Sequence, residues 1–166
     1  MTTTQPGQPE VSIIIPARNE EATLASCLES LVGQTGVAFE IIVVNDHSTD
    51  RTREIASSFP NVKVMDAPPL PPRWTGKNNA LIAGVAQARG EWLLFTDADT
   101  VHVPGSLARA LKEAKAGQAA LLSYSPEQVV SGFWEKAVMP VIFAELAAHY
   151  RPAEVSDPNS LAAAAN

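Results

Sequence analysis

Two aspartates one residue apart, Asp97 and Asp99, follow an apolar run in the stretch EWLLFTDADT at positions 91–100. Trp92 to Phe95 suits a buried β-strand, and Thr96 breaks the run. A strand ending in paired carboxylates puts negative charge at the edge of a sheet. Hard divalent cations such as Mg²⁺ and Mn²⁺ take oxygen ligands and hold phosphates through the same ion. The DAD triplet therefore reads as a site for a cation and a diphosphate. Asp is also a common turn residue, and for the triplet alone the polar turn is the favoured reading. Its company changes the balance: Asp46 follows another apolar run, and Arg73 and Lys77 flank the start of a helical pattern. A cation at Asp99 together with Lys77 or Arg73 would meet phosphate charge, and Asp46 would hydrogen-bond a base or ribose.

These groups need a scaffold, and the hydrophobic pattern supplies one. Val11 to Ile15 (VSIII) is β-branched and apolar, as in a parallel strand covered on both faces, and Pro16 should end it. Asn19 is a candidate N-cap, with Glu20 and Glu21 where a helix N-terminus favours acid. Leu24, Cys27, Leu28 and Leu31 form one helical stripe, stopped by Gly33 or Gly36. A second strand runs from Phe39 to Val44, and Ser48, Thr49 or Asp50 can cap a short helix from Arg51 to Ser58 with Ile55 and Phe59 inward. Asn61 to Met65 makes a third strand. Pro68, Pro69, Pro71 and Pro72 then stiffen a loop that carries Arg73, Trp74 and Lys77 to the next helix. Trp74 either binds there or packs down as part of a rigid connector. Leu81, Gly84, Val85 and Ala88 give that helix its stripe, closed by Gly90. After the DAD strand, Pro104 fits a first helical position and Leu107, Ala110, Leu111 and Ala114 repeat the stripe up to Gly117. Ala119 to Tyr124 reads as a fifth strand.

Strands alternating with crossover helices imply an α/β fold: a doubly wound, mostly parallel, Rossmann-like sheet with helices on both faces. Ligands of such sheets bind beyond the carboxyl ends of the strands. The segments Pro16 to Glu21, Asn45 to Asp50 and Asp97 to Thr100 all fall at that edge, and Asp46 is expected beside the DAD strand.

Composition narrows the partners. The chain has 166 residues and a net charge of −6, which argues against nucleic acid. The single cysteine, Cys27, excludes an internal disulfide framework or a Cys-rich zinc site, and suits burial. Residues 1–10 read as a flexible N-terminal tail and 11–166 as a single domain. No apolar run is long enough to span a membrane. The broadly apolar stretch from Gly132 to Tyr150 reads as a helix kinked at Pro140. It would complete the core, or offer an amphipathic surface to a lipid-like acceptor.

No GxGxxG or GxxxxGK[ST] is present, so phosphate must be met by metal and side chains. The segments SIIIPARNEE, EIIVVNDHSTDRT, GKNNAL and GEWLLFTDADT, in this order, resemble the signature motifs of family 2 glycosyltransferases of the GT-A fold, over roughly Val11 to Gly117. That resemblance implies transfer of a sugar from a nucleotide-diphosphate sugar, a UDP-sugar in first place, to an acceptor hydroxyl with inversion. It implies a divalent cation, Mn²⁺ or Mg²⁺, and a cytoplasmic location, peripheral to the membrane. Pro16, Ala17 and Glu20 match the first donor-nucleotide segment, Asp46 the base-holding aspartate and Lys77 a basic residue near the nucleotide. Asp97 and Asp99 match the DxD pair, Asp99 as the direct metal ligand. WTGK at 74–77 is similar to members with polyprenoid acceptors, hopanoid and carotenoid types among them.

Plainer readings stand beside these. Glu20 favours its helix N-terminus, Asp46 shapes a turn, Asp97 hydrogen-bonds nearby backbone, His102 is exposed and alone, and Arg18 and Asn19 are surface and cap. The family's general base lies in an ED-type motif downstream of DxD, followed by a QxxRW-type segment. Neither is found, and Glu127, Glu135, Glu145, Glu154 and Asp157 lack that context. The chain thus reads as the donor-binding portion of a longer enzyme, with homo-oligomer formation through exposed apolar surface as an expectation. A non-catalytic nucleotide-sugar-binding module is the alternative. A sugar-phosphate nucleotidyltransferase ranks last, because its glycine-rich basic loop is missing.

Overall fold

The computed structural model describes residues 8–124, together with 127, 132, 138–140 and 144. The chain divides into two compact units, Met1–Ala119 and Ala120–Asn166. In the second, residues 138–140 and 144 are helical and residue 132 is a bend, and the other residues of the expected 132–150 helix lie outside the described ones.

The first unit alternates strand and helix: β1 (Val11–Ala17), α1 (Leu24–Val32), β2 (Phe39–Asn45), α2 (Thr52–Ser57), β3 (Val62–Asp66), α3 (Gly76–Val85), β4 (Trp92–Phe95) and α4 (Ser106–Ala116). The sheet is parallel throughout, in the order β3-β2-β1-β4. The β-branched runs of β1 and β2 occupy its centre because they can be covered on both faces. On one face Ile13, Ile15, Ile41 and Val43 pack with Leu24, Cys27, Leu28 and Leu31 of α1, and with Leu107 and Leu111 of α4. On the other, Ile42 and Val44 meet Ala80 of α3. Residues 8–10 are tied down as well: Gln8 Nε2 donates to the Arg89 carbonyl, and Lys115 pairs with Glu10.

Several elements differ from the sequence reading. β1 runs through Pro16 to Ala17. Even-numbered residues of β1 face β4, where Trp92 N donates to Glu10 O and Thr96 N to Ile14 O; odd-numbered ones face β2. The N–H that Pro16 lacks would point at β4, whose pairing has already ended at Phe95, so the strand continues on its β2 side alone. The DAD strand is not buried. Among the described residues β4 is an edge, with Leu93 and Phe95 exposed. Its alternate residues Trp92 and Leu94 pack on the core.

The buried stripe of α3 is Ala80 and Gly84, while Leu81 is half-buried and Val85 exposed. A Cβ on Gly84 would lie 2.5 Å from Ile14 Cγ2, so the helix turns its smallest residues to the sheet to approach it closely. Asn19 does not cap α1. Its φ of 57° is left-handed, a conformation Asn tolerates, and α1 begins at Leu24 after a turn. Pro104 sits in a turn two residues ahead of α4, and residues 121–124 form no strand.

The amino-terminal end of the sheet is fastened by a polar knot. Buried Ser12 donates to Glu40 Oε1 at 2.7 Å and accepts from Gly90 N at 2.8 Å. Arg89 Nη2 reaches Glu40 Oε2 at 2.8 Å, and Arg89 N reaches Glu40 Oε1 at 2.8 Å. Burial pushes the Glu40 carboxyl up, but the Ser12 hydroxyl and the Arg89 side chain and amide outweigh it and hold the group below its ordinary value. The folded pKa is therefore depressed. Its stabilisation is complete above the unfolded value of about 4.3 and is lost as pH falls through the folded one. Glu40→Gln should cost about 1.5–3 kcal/mol near neutrality, the range for hydrogen bonds to a charged group. Urea unfolding at about pH 7 and about pH 3 should show the gap between wild type and variant narrowing in acid.

Candidate functional site

The carboxyl ends of the strands carry the polar loops, as expected for a sheet of this kind. The first two loops are laced together. Asn19 N donates to Ser48 Oγ at 3.1 Å, Thr49 N to Asn19 Oδ1 at 2.9 Å and Glu20 N to Thr52 Oγ1 at 2.7 Å. Glu21 N donates to Asp50 Oδ2 at 3.1 Å, and Arg51 N to Glu21 Oε2 at 3.2 Å. Just ahead of α2, Asp50 Oδ1 accepts from Thr52 N at 3.0 Å. Although desolvation opposes it, hydrogen bonding from the Thr52 hydroxyl and amide lowers the Asp50 pKa. The Glu20 carboxylate accepts from Thr23 Oγ1 at 2.9 Å and lies ahead of α1, whose first turn carries no acid.

Asp46 directly follows β2, and its N–H donates to the Ala17 carbonyl at 2.8 Å. It is buried, 8% exposed, and its Oδ2 lies 3.7 Å from Arg18 Nη1. β2 does not neighbour the DAD strand; β1 lies between them because the chain crosses to the far side of β1 after β3. The link from Asp46 to the DAD turn is made instead by the start of α3. Thr75 caps that helix, its Oγ1 accepting from Asn78 N at 3.3 Å. A Cβ on Gly76 would fall 2.2 Å from Asp46 Oδ2, so the helix backbone abuts this carboxylate. One residue on, Lys77 Nζ reaches Asp97 Oδ1 at 2.7 Å. Adjacent residues at one helix N-terminus thus touch acids from two different strand ends. The positive end of the helix dipole suits that placement.

Asp97 and Asp99 are exposed on either side of buried Ala98, and Thr100 N closes the turn on Asp97 O at 3.3 Å. The turn is braced from behind. Thr96 Oγ1 lies 3.0 Å from His102 Nε2, and His102 N donates to Ser30 Oγ at 3.0 Å. His102 is therefore half-buried and engaged, and burial lowers its pKa. Cys27 Sγ lies 3.6 Å from the Asp97 carbonyl. Burial, then the Asp99 and Asp97 charges, push its thiol up to about 12, so it is an inert packing group. Among the described residues no three His, Cys, Asp or Glu side chains cluster as a metal cage.

Of the residues singled out from sequence, Pro16 and Ala17 form the end of β1, Asp46, Lys77 and Asp97 meet at the α3 N-terminus, and Asp99 lies exposed two residues beyond Asp97 in the same turn. Trp74 stays exposed at 43%, and Arg73 adopts a left-handed φ of 68°. Gly76 was missed. Its only signal in the sequence is a glycine placed at a helix start, and the reason for it, the Asp46 carboxylate, comes from thirty residues upstream.

The parallel order with polar loops at its carboxyl ends is an open α/β fold, and its neighbours among solved structures are GT-A glycosyltransferases. A model of the family "Glycosyl transferase family 2" matches residues 12–160, and the chain belongs to that family. A 4,4'-diaponeurosporenoate glycosyltransferase of Staphylococcus aureus (strain USA300) is 34% identical over 127 residues, covering 75% of this chain and 34% of that protein. The chain thus spans about a third of the length of the curated relatives it matches. S. aureus TarS 1-349 in complex with UDP-GlcNAc is similar in structure, with a TM-score of 0.57 and 26% identity, covering 74% of this chain and 37% of that one. Glucosyl-3-phosphoglycerate synthase from Mycobacterium tuberculosis in complex with UDP gives a TM-score of 0.57 and 25% identity, covering 91% of this chain and 53% of that one.

The Gly76–Asp46 contact is open to a double-mutant cycle. Gly76→Ala should destabilise the chain by about 1–3 kcal/mol through overpacking against the carboxylate. In an Asp46→Ala background most of that cost should vanish, read as non-additivity in urea unfolding.

Proposed function

We propose that this chain is the donor-binding part of an inverting glycosyltransferase that takes a UDP-sugar and a divalent cation and glycosylates the hydroxyl of a lipid-like acceptor. The observation that carries the reading is the meeting of Asp46 and Asp97 at one helix N-terminus, in a chain of this family. Asp46 holds the base or ribose, with Arg18 beside it, and Pro16, Ala17 and Glu20 form the neighbouring wall. Lys77 meets the diphosphate.

Two exposed carboxylates without a third ligand suit Mg²⁺ or Mn²⁺ that completes its coordination with substrate phosphate oxygens, and not an all-protein cage. Asp99 would be the direct ligand and Asp97 the second. Bound there, the cation screens charge on the departing diphosphate. The braced turn from Thr96 to His102 holds the carboxylates in place before any ligand arrives.

Exposed Leu70 and Trp74 on the proline-rich loop, and Val101 and Val103 beyond the DAD turn, favour an apolar acceptor. A relative named for 4,4'-diaponeurosporenoate supports that class. Among the described residues no helix is long and apolar enough to cross a membrane. Action at the cytoplasmic face, by peripheral contact, fits both observations.

Calorimetry of UDP with and without Mn²⁺ tests the reading. Binding should require the metal, and Asp99→Asn should remove the metal-dependent part while leaving the thermal unfolding midpoint unchanged. Absent or metal-independent binding by the wild-type chain would overturn it.

A further inference from the structure

We infer that Lys77 is a built-in stand-in for the divalent cation: its ammonium holds Asp97 in the free protein, so that cation and nucleotide diphosphate bind as a coupled pair. The inference rests on the function proposed above and adds an order to it.

The geometry is specific. Lys77 Nζ lies 2.7 Å from Asp97 Oδ1, so one of the two carboxylates is already paired with a positive charge. Among the described residues Asp99 makes no ion pair, and no third acid stands close enough to complete a site. A divalent cation approaching the free protein therefore meets one unengaged carboxylate and a nearby ammonium of like sign. Both should keep its affinity low. The Lys77–Asp97 pair is half-exposed on each side, at 52% and 54%, so it is screened by water and weak enough to exchange.

A diphosphate changes the balance in one step. Its oxygens offer Lys77 a stronger partner, which frees Asp97, and they offer the cation further hard ligands. Lys77 stays near because it occupies the first turn of α3, whose backbone is pressed against Asp46. The ammonium thus exchanges one anion for another without leaving the site. Whatever affinity the nucleotide gains from the cation, the cation gains from the nucleotide, by linkage.

The test uses the 166-residue chain, Mn²⁺ alone and Mn²⁺ with UDP, read by calorimetry and by the electron paramagnetic resonance signal of free Mn²⁺. In the wild type, UDP should tighten Mn²⁺ binding by at least about fivefold, within the usual range of coupling between sites. Lys77→Gln should bind Mn²⁺ alone several-fold more tightly than wild type, bind UDP more weakly, and lose most of the coupling. Lys77→Arg keeps the charge and should retain the wild-type pattern. Circular dichroism checks that each variant is folded. If Lys77→Gln binds Mn²⁺ alone no better than wild type, the stand-in role is overturned, whatever UDP does. If the wild-type chain fails to bind UDP, the donor-site reading falls separately, because the Mn²⁺-only comparison needs no nucleotide.

Discussion

A missing N–H sets the geometry of the rim. Pro16 sits in the central strand, where a proline would ordinarily disrupt pairing. Here its absent donor points to the side where β4 has stopped, and the ladder to β2 runs on to Ala17. The two sides of β1 therefore end at different heights. On the longer side the chain delivers Asp46 against Ala17, and on the shorter side it releases the turn carrying Asp97 and Asp99. β1 is also the strand at which chain order reverses, with β2 and β3 on one side and β4 on the other. Crevices outside the carboxyl ends at such a reversal are the usual ligand sites of open α/β sheets.

Two kinds of fastening hold that rim. On one side the loops after β1 and β2 exchange hydrogen bonds between Asn19, Glu20 and Glu21 and Ser48, Thr49, Asp50 and Thr52. These bonds commit the Asn19, Ser48, Asp50 and Thr52 side chains to positioning the loops. On the other, α3 reaches Asp46 through Gly76 and Asp97 through Lys77. The far end of the sheet is closed by the Ser12, Glu40 and Arg89 knot. Charge is thus distributed with a division of labour: Glu40 and Asp50 are satisfied by fixed protein donors, and the carboxylates of the DAD turn face solvent.

Much of this was legible in the amino acids because the determinants are local. The β-branched runs of β1 and β2, the Leu24, Cys27, Leu28 and Leu31 stripe, and the alternation of strand and helix each declare themselves within a few residues. The acidic segments at the strand ends followed from the topology. What could not be read depends on partners far along the chain. The face of α3 was read in part: Gly84 is buried and Ala88 packs on the core as expected, but Val85 is exposed and Ala80 turns inward, because the helix is seated closely at Gly84, where any Cβ would meet Ile14. Asn19 looked like a cap because its side chain suits one, yet its Oδ1 accepts from Thr49 N in the neighbouring loop. β4 looked buried because its four residues are all apolar, although only alternate ones face the core. His102 looked solitary because its partners, Thr96 and Ser30, come from a turn and a distant helix. Residues 119–124 had strand-like composition but form no strand.

The tight seat of α3 has a mechanical consequence. With Gly84 lying on Ile14 and Val44, there is no slack beneath the helix for it to roll or tilt. Adjustment to an incoming molecule then falls to the long, exposed Lys77 and Arg18 side chains. The scaffold behaves as an anvil, and accommodation of differently shaped guests is left to what lies on top of it.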